Sequence, residues 1–314
     1  LDKRSNFIKQ APPQGYGSDP DNPNRVSYGT WNLYRRFGED YASKSKEMVI
    51  DRMSNWGVNT IANWSSREII NMNQKPFMLQ LYGLGIDADV YAADFGAKID
   101  NVVKETVSPY KDNPWLIGYF TGNEPSWLGQ ESRLCDLILE VQENKPIKEV
   151  LKKYLTEGDT PERRKEFIYN SFKVFLQTVE AAVRKHDPNH LTLGIRFGHL
   201  PEDGILEICK EVFDVFSFNC YELTPPKETM DRTGLPMIIG EYHAGTVDRG
   251  MAQALVQVEN QEERGVAYRL YTEQAFDHPG LIGVAYFQWS DQDLTGRGYD
   301  GENYNCGLVD VTDR

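Results

Sequence analysis

Short apolar runs alternate with amphipathic helical patterns along most of the chain. The runs are rich in β-branched and aromatic residues and end in polar turns, which is typical of strands buried on both faces. Seven strands are predicted in this way, at 58–63, 77–82, 115–120, 190–196, 213–219, 236–241 and 281–289. Strands that alternate with helices indicate a parallel sheet, and this number of units predicts an α/β fold closed into a (β/α)8 barrel.

The segments between the strands carry apolar residues at helical spacing. The clearest helix covers residues 161–186, where Phe172, Phe175, Val179 and Ala182 follow one another at steps of three and four. A proline at its first position suits the first turn of a helix. Further helices are predicted at 39–56, 91–110, 202–212 and 251–277.

The domain organisation has two irregular features. A complete barrel needs one more strand, which lies either in the weak candidate at 5–10 or upstream of the sequence. Helical signals at 128–160 predict an insertion at the top of the barrel, where it would wall a substrate cleft. Residues 1–314 are expected to form one catalytic domain, cut from a larger protein because no initiator Met or signal peptide is present. The rival fold, an open doubly wound sheet, lacks a Gly-rich phosphate loop after any strand.

Two of the predicted strands lead into a glutamate. Glu124 follows strand 115–120, and Glu241 closes strand 236–241. With the weak strand counted they lie on strands four and seven, at the barrel end where catalytic residues are found. A single glutamate there is more simply a salt bridge or a helix cap. A pair instead favours glycoside hydrolysis, which needs one carboxyl as proton donor and a second at the anomeric carbon.

The residues around each glutamate suggest its role. Glu124 suits the proton donor, because Tyr119, Phe120 and Trp127 are expected to surround it and an apolar environment favours the protonated carboxyl. Glu241 suits the nucleophile.

Neighbouring polar residues are expected to assist the two glutamates. Asn123 would bind the sugar 2-hydroxyl, a contact that strengthens in the transition state. Tyr221 and His243 are the expected partners that keep Glu241 ionised and oriented, and Arg196 would do the same from a neighbouring strand.

Other strand ends supply candidates for substrate binding. Asn63 and Trp64 would hold a hydroxyl and stack on a ring, although Trp64 would serve equally well in the core. Trp289, after the last strand, would form the floor of the −1 subsite. The polar loop that follows contributes Asp291, Gln292, Arg297, Glu302 and Asn303. For all of these except Arg297, a loop that satisfies its own polar groups is the simpler interpretation.

Composition narrows the classes of partner. The net charge is −13 without a basic cluster, which argues against nucleic acid and anionic membrane surfaces. No apolar stretch is long enough to span a bilayer. Aromatic residues make up 12% of the chain, which modestly favours a carbohydrate partner.

Alternative chemistries find little support in the residue spacing. The four cysteines are far apart, which predicts buried free thiols, with a single disulfide as the alternative. No metal-ligand spacing is present, so neither a metal nor a cofactor is expected. A Gly-x-Ser-x-Gly turn for a serine nucleophile is absent as well.

Longer strings of sequence carry a family resemblance. They occur in order at 32–38, 56–64, 118–124, 240–250, 287–297 and 301–307. Together they resemble the agarases of glycoside hydrolase family fifty, a branch of the large clan of retaining (β/α)8 glycosidases, and related β-galactosidase-like enzymes.

The resemblance implies both an activity and the roles of the two glutamates. Glu124 would be the acid/base and Glu241 the nucleophile in retaining hydrolysis of a β-linked galactose unit, as in agarose. A secreted or periplasmic location is implied only weakly. A β-galactosidase, β-glucosidase or mannosidase on another substrate, a transglycosylase with the same residues, and a catalytically silent sugar-binding barrel remain as alternatives.

Overall fold

The computed structural model describes residues 28–85 and 89–314, in which all strand pairings are parallel. The strands are β1 (Phe77–Gln80), β2 (Leu116–Phe120), β3 (Gly122–Asn123), β4 (Leu191–Thr192), β5 (Ile195–Arg196), β6 (Phe216–Asn219), β7 (Met237–Tyr242) and β8 (Leu281–Tyr286). They pair in the orders β1-β2-β4, β3-β5 and β6-β7-β8.

One bridge and the continuity of the chain join these three sheets into one series. Ile61 pairs with Phe77 at one side, and Phe197 pairs with Phe218 between β5 and β6. β3 continues β2 and β5 continues β4, so neighbouring strands follow chain order from Ile61 to β8. This order is the one a (β/α)8 wall requires. It establishes the α/β class and the parallel arrangement, whereas closure into a full barrel stays a prediction.

Two predicted strands are shorter or broken. The strand predicted at 58–63 is only a bridge at Ile61, because that segment pairs with β1 and has no partner on its other side among the described residues. The strand predicted at 190–196 is interrupted by Gly194, whose φ of +79° is incompatible with an extended strand. The candidate at 5–10 lies outside the described residues.

Helices fill most of the intervals between the strands. Those in the described ranges are α1 (Tyr28–Phe37), α2 (Tyr41–Asn55), α3 (Arg67–Ile70), α4 (Phe95–Val107), α5 (Glu131–Glu140), α6 (Pro146–Leu155), α7 (Pro161–His186), α8 (Asp203–Val212), α9 (Lys227–Met230) and α10 (Gln261–Phe276). The prediction for α7 is confirmed at both ends and on its buried face. The hydroxyl of Thr160 caps it by accepting the backbone N–H of Arg163 at 3.3 Å.

The prediction of a helix over 251–277 is wrong in its first part. α10 begins at Gln261, because the side chain of Asn260 accepts the N–H of Glu263 at 3.0 Å and caps the helix there. The preceding segment is held as a loop by bridges from Gly245 to Gln257 and from Ala252 to Tyr304.

The insertion at 128–160 forms α5 and α6, which pack against α7. The ring of Trp127 meets that of Phe172 edge to face at 5.0 Å between centroids. Arg164 on α7 pairs with Asp136 at 2.6 Å and with Asp159 at 2.5 Å. That the insertion also walls a substrate cleft stays a prediction.

The core lies between the strands and the surrounding helices, with a smaller apolar cluster formed by strand side chains such as Met78, Phe120 and Ile238. All four cysteines are free and buried, as the first interpretation predicted. Within the described ranges no helix has the length and apolar character needed to cross a bilayer. Several polar side chains at the carboxyl ends of the strands are fully buried.

Candidate active site

Glu241, next to last in β7, is buried and surrounded by hydrogen-bond donors. Its Oε1 accepts from Nη1 of Arg196 at 2.6 Å and from Nε1 of Trp64 at 2.7 Å. Its Oε2 accepts from the hydroxyl of Tyr221 at 2.6 Å. Three donors directed at one carboxylate fix its orientation.

Arg196 reaches this carboxylate from the end of β5 and is 0% exposed. Its guanidinium lies 4.7 Å from the ring centroid of Trp64 and 5.3 Å from that of Phe120. Nη2 also reaches Oε1 of Gln80 at 3.4 Å. Burial lowers the pKa of the Arg196 guanidinium, while the adjacent Glu241 carboxylate opposes that shift.

Gly240 makes room for this arrangement. A Cβ at this position would lie 2.5 Å from Cδ of Arg196 and 2.8 Å from Oδ1 of Asn219. The arginine therefore crosses β7 at a point where a larger residue would collide with it. A glycine is needed before Glu241 because Arg196 and Asn219 fill the space that a side chain would occupy.

Asn63 lies beside the same arginine and is buried. With its amide oxygen turned toward the donors, it accepts from Nη1 and Nη2 of Arg196 at 2.6 and 3.0 Å and from Nε1 of Trp64 at 2.8 Å. Asn63 thus helps to hold the donors of Glu241. Trp64 is 47% exposed, so its ring is open to solvent as well as to the arginine.

Glu124 follows β3 with a φ of +42°, in the left-handed region that few non-glycine residues adopt. Its Oε1 accepts from Nδ2 of Asn219 at 2.8 Å, and the same amide donates to Oδ1 of Asn123 at 3.2 Å. The backbone N–H of Glu124 bonds to the carbonyl of Arg196 at 2.8 Å. Strained backbone at a chemically competent carboxylate is a feature of functional sites.

The prediction of an apolar environment for Glu124 is wrong, because the residue is exposed. Tyr119 points toward the helices, where its hydroxyl donates to Asp187 at 2.7 Å. Trp127 packs on α7 rather than over the glutamate. Successive strand residues face opposite sides of a sheet, so proximity in sequence did not bring these rings to the carboxylate.

The two glutamates share one electrostatic environment. Arg196 and Tyr221 each interact with both carboxylates. Burial raises the pKa of Tyr221, and the nearby Glu241 and Glu124 carboxylates raise it further, so its hydroxyl stays a proton donor. The structure thus brings to one site the pair that the sequence placed on separate strands.

His243 lies next to this site without a hydrogen bond to Glu241 among the described contacts. Its ring centroid is 4.7 Å from that of Tyr221, and its Nε2 accepts the N–H of Leu255 at 3.2 Å. Burial lowers the pKa of His243 to about 4. His243 is therefore a neutral support for Tyr221 and for the 251–258 segment.

The side chains predicted after β8 mostly bind one another. Trp289 stacks on Trp56 with centroids 5.7 Å apart. Arg297 pairs with Asp300 at 2.6 Å and with Glu302. Other bonds of this loop join Glu302 to Gln292 at 2.8 Å, Asn303 to the N–H of Ala252 at 3.1 Å, and Asp291 to Asn305 at 2.7 Å and to the N–H of Gly307 at 2.8 Å.

Two side chains of the site were not predicted from the sequence. Asn219 joins Glu124 to Asn123, and Gln80 contacts Arg196. Each is a polar residue that closes a buried strand, the same signal that identified the glutamates. No cluster of three or more His, Cys, Asp and Glu suited to a metal ion occurs in residues 28–85 and 89–314.

Comparison with known proteins finds β-agarases among the sequences and solved structures that are similar to this chain. β-Agarase B of Vibrio sp. (strain JT0107) is 27% identical, with 91% of this chain and 36% of the relative covered. The solved structure of an exo-β-agarase superimposes with a TM-score of 0.80 and 28% identity, covering 91% of this chain and 47% of that one.

A second solved structure, of the agarase AgWH50C, has a TM-score of 0.80 and 29% identity, over 92% of this chain and 49% of the other. The chain therefore has the α/β architecture of glycoside hydrolases. It spans half or less of the length of these relatives. No family model matches the chain.

Proposed function

We propose that this chain is the (β/α)8 catalytic domain of a retaining, agarase-like glycoside hydrolase. Glu241 is the nucleophile and Glu124 the general acid/base. The observation that carries the proposal is the unequal environment of the two carboxylates. Glu241 accepts three donors in a buried site, whereas Glu124 is exposed and accepts one donor from Asn219.

The unequal environments suit the two roles in double displacement. A carboxylate held in place by three donors attacks the anomeric carbon, forming a glycosyl–enzyme ester as the glycosidic C–O bond breaks. An exposed carboxyl can transfer its proton to the departing oxygen and then accept one from the incoming water. Asn123, adjacent to Glu124, would bind the sugar beside the scissile bond.

The substrate class rests on the relatives. Their names describe β-agarases, and the likeness covers nine-tenths of this chain. A polymer of β-linked galactose units also suits an acidic protein, because it is uncharged. We therefore propose agarose and its oligosaccharides as substrates. The exposed rings of Trp64 and Tyr82, 5.9 Å apart beside Glu241, offer apolar faces on which sugar rings stack.

Azide rescue in the full-length protein tests the two roles. Glu241→Gln and Glu124→Gln should each lower kcat on agaro-oligosaccharides by about 10³-fold or more. Azide should restore turnover of an activated β-galactoside in both variants. The product should be the α-glycosyl azide from Glu241→Gln, where azide replaces the nucleophile, and the β-azide from Glu124→Gln, where azide attacks the enzyme ester.

The exposed Glu207 on α8 provides a matched control, since Glu207→Gln removes a carboxylate that pairs with Lys210 on the same helix. Retention of full activity in either glutamine variant of the site would refute its role. Binding of agaro-oligosaccharides without turnover by the parent protein would support the silent sugar-binding alternative. A crystal structure with the two carboxyls about 9 Å apart would indicate inversion rather than retention.

A further inference from the structure

Asn219 occupies an unusual position between the proposed acid and its neighbour. It is the last residue of β6 and is 0% exposed. Its Nδ2 donates to Oε1 of Glu124 at 2.8 Å and to Oδ1 of Asn123 at 3.2 Å. The amide group is therefore directed at the last residue of β3, Asn123, and at Glu124, which follows it.

The orientation of this amide is fixed by its partners. With oxygen and nitrogen exchanged, Oδ1 of Asn219 would face a carboxylate oxygen and an amide oxygen, neither of which is a donor when Glu124 is ionised. The backbone N–H of Asn219 is anchored to the carbonyl of Phe197 at 2.6 Å.

This orientation determines where the catalytic proton resides. Oε1 of Glu124 accepts an N–H from Asn219, so a proton on Oε1 would compete with that bond, whereas Oε2 is left to carry it. The oxygen of the Asn123 amide is likewise occupied. Its Nδ2 makes no hydrogen bond to the described part of the chain and remains available as a donor.

We propose that Asn219 is a positioning residue that directs the acid proton of Glu124 to Oε2 and turns the amino end of Asn123 toward the substrate. This inference rests on the proposed glycosidase function. In the first step the proton leaves Oε2 for the glycosidic oxygen as the C–O bond breaks. The resulting carboxylate keeps the N–H bond of Asn219. In the second step the attacking water returns a proton to Oε2.

Leaving-group dependence tests this role. Asn219→Ala should lower kcat/KM on agaro-oligosaccharides by about 10–100-fold, the range expected for a hydrogen bond to a charged group. On a 2,4-dinitrophenyl glycoside of the same sugar, whose leaving group needs no proton, the loss should stay below about 3-fold. Asn219→Asp, which keeps the shape but replaces the donor with a carboxylate, should lose more than Asn219→Ala on the natural substrate.

Ser217→Ala is the matched control. Ser217 lies two residues earlier on the same strand, is fully buried, and its hydroxyl has no partner among the described residues. This variant should keep activity on both substrates within about 2-fold, as expected for a side chain that touches neither glutamate. Thermal unfolding of all variants separates loss of fold from loss of acid catalysis.

The outcomes separate this inference from the function on which it rests. The leaving-group signature is a large loss of activity on agaro-oligosaccharides with a small loss on the dinitrophenyl glycoside. If Glu124→Gln shows this signature and both Asn219 variants do not, the positioning role is wrong and the glycosidase proposal stands. Equal losses on both substrates, in folded Asn219 variants, also overturn the positioning role. If Glu124→Gln itself lacks the signature, the acid/base assignment fails first.

Discussion

Two polar regions follow the strands, and they are built on opposite principles. In the strand-end cluster (Asn63, Trp64, Asn123, Glu124, Arg196, Asn219, Tyr221 and Glu241), most bonds join residues from different strands. In the 290–307 loop, they mostly join residues close in sequence, as Arg297 does with Asp300. The two arginines differ correspondingly in exposure, with side chains 0% and 23% exposed.

The difference teaches how polar side chains divide between support and chemistry. An arginine that satisfies itself within its own loop stabilises that loop and offers little to a substrate. A buried arginine aimed at a carboxylate on another strand has been desolvated at considerable cost, which only its partner and the surrounding packing offset. The contrast is a clearer indicator of the site than the number of polar residues in either region.

Replacing the arginine of each region by methionine gives the largest expected contrast, and the larger effect is expected at Arg196. Arg196→Met should lower kcat about 10³-fold, because Glu241 loses one of its two donors at 2.6 Å and is left partly unpaired in a buried site. Steady-state kinetics on agaro-oligosaccharides measure the loss, with unfolding monitored in parallel. Near-parental kcat in a folded Arg196→Met protein would contradict the proposed role of this ion pair.

Gly240→Ala should give the next largest effect. The added methyl group would collide with Cδ of Arg196 at 2.5 Å and with Asn219. Such overpacking costs about 1–3 kcal/mol of stability, and the displaced arginine should lower kcat roughly 10–100-fold. Gly283→Ala on β8 is the control, since its Cβ would meet only Ile238 at an ordinary 3.8 Å. Equal effects of the two alanine variants would show that the packing beneath Glu241 is not special.

His243 joins the two regions, with its ring 4.7 Å from Tyr221 and 5.9 Å from Tyr304. Because burial lowers its pKa to about 4, His243 stays neutral in the folded protein while the unfolded chain takes up a proton below about pH 6.5. The free energy of unfolding should therefore fall as pH drops from 6.5 to 4, by about 3 kcal/mol from this residue.

Denaturant unfolding at several pH values tests this contribution. The advantage of the parent over His243→Gln should shrink across that interval, since glutamine does not titrate. His199→Gln, at an exposed histidine, serves as the control. A constant difference between parent and His243→Gln from pH 7 to 4 would rule out a buried neutral imidazole.

Arg297→Met should produce the smallest effect. Its partners Asp300 and Glu302 lie in the same partly exposed loop, where ion pairs contribute about 0–1 kcal/mol. Activity should change less than about 3-fold, with a slightly lower Tm. A loss as large as that of Arg196→Met would place the loop in the catalytic machinery and remove the contrast between the regions.

Many of the helices and strands were predictable from the sequence because they depend on local patterns of residues. Periodicity and a proline at the first turn located α7, and buried apolar runs located most strands within a few positions. The pairing of Arg196 and Tyr221 with Glu241 was also anticipated, since residues at the carboxyl ends of parallel strands meet at one edge. The start of α10 was missed, although Asn260 is a recognisable helix cap.

Other features depended on side-chain direction, which sequence order does not reveal. Tyr119 and Trp127 flank Glu124 in the chain but point into the core, and Asn219, far away in sequence, is its actual partner. The sequence also did not reveal that Nε1 of Trp64 donates to both Glu241 and Asn63.

The sequence by itself determined the alternation of strands and helices and the positions of Glu124 and Glu241, because hydrophobic periodicity and turn chemistry are local properties. Only the tertiary structure decided which donors reach each carboxylate. Those contacts arise where strands distant in sequence pack side by side, and a shift of one residue in register would replace every one of them. The unequal environments of Glu124 and Glu241 are therefore a product of packing.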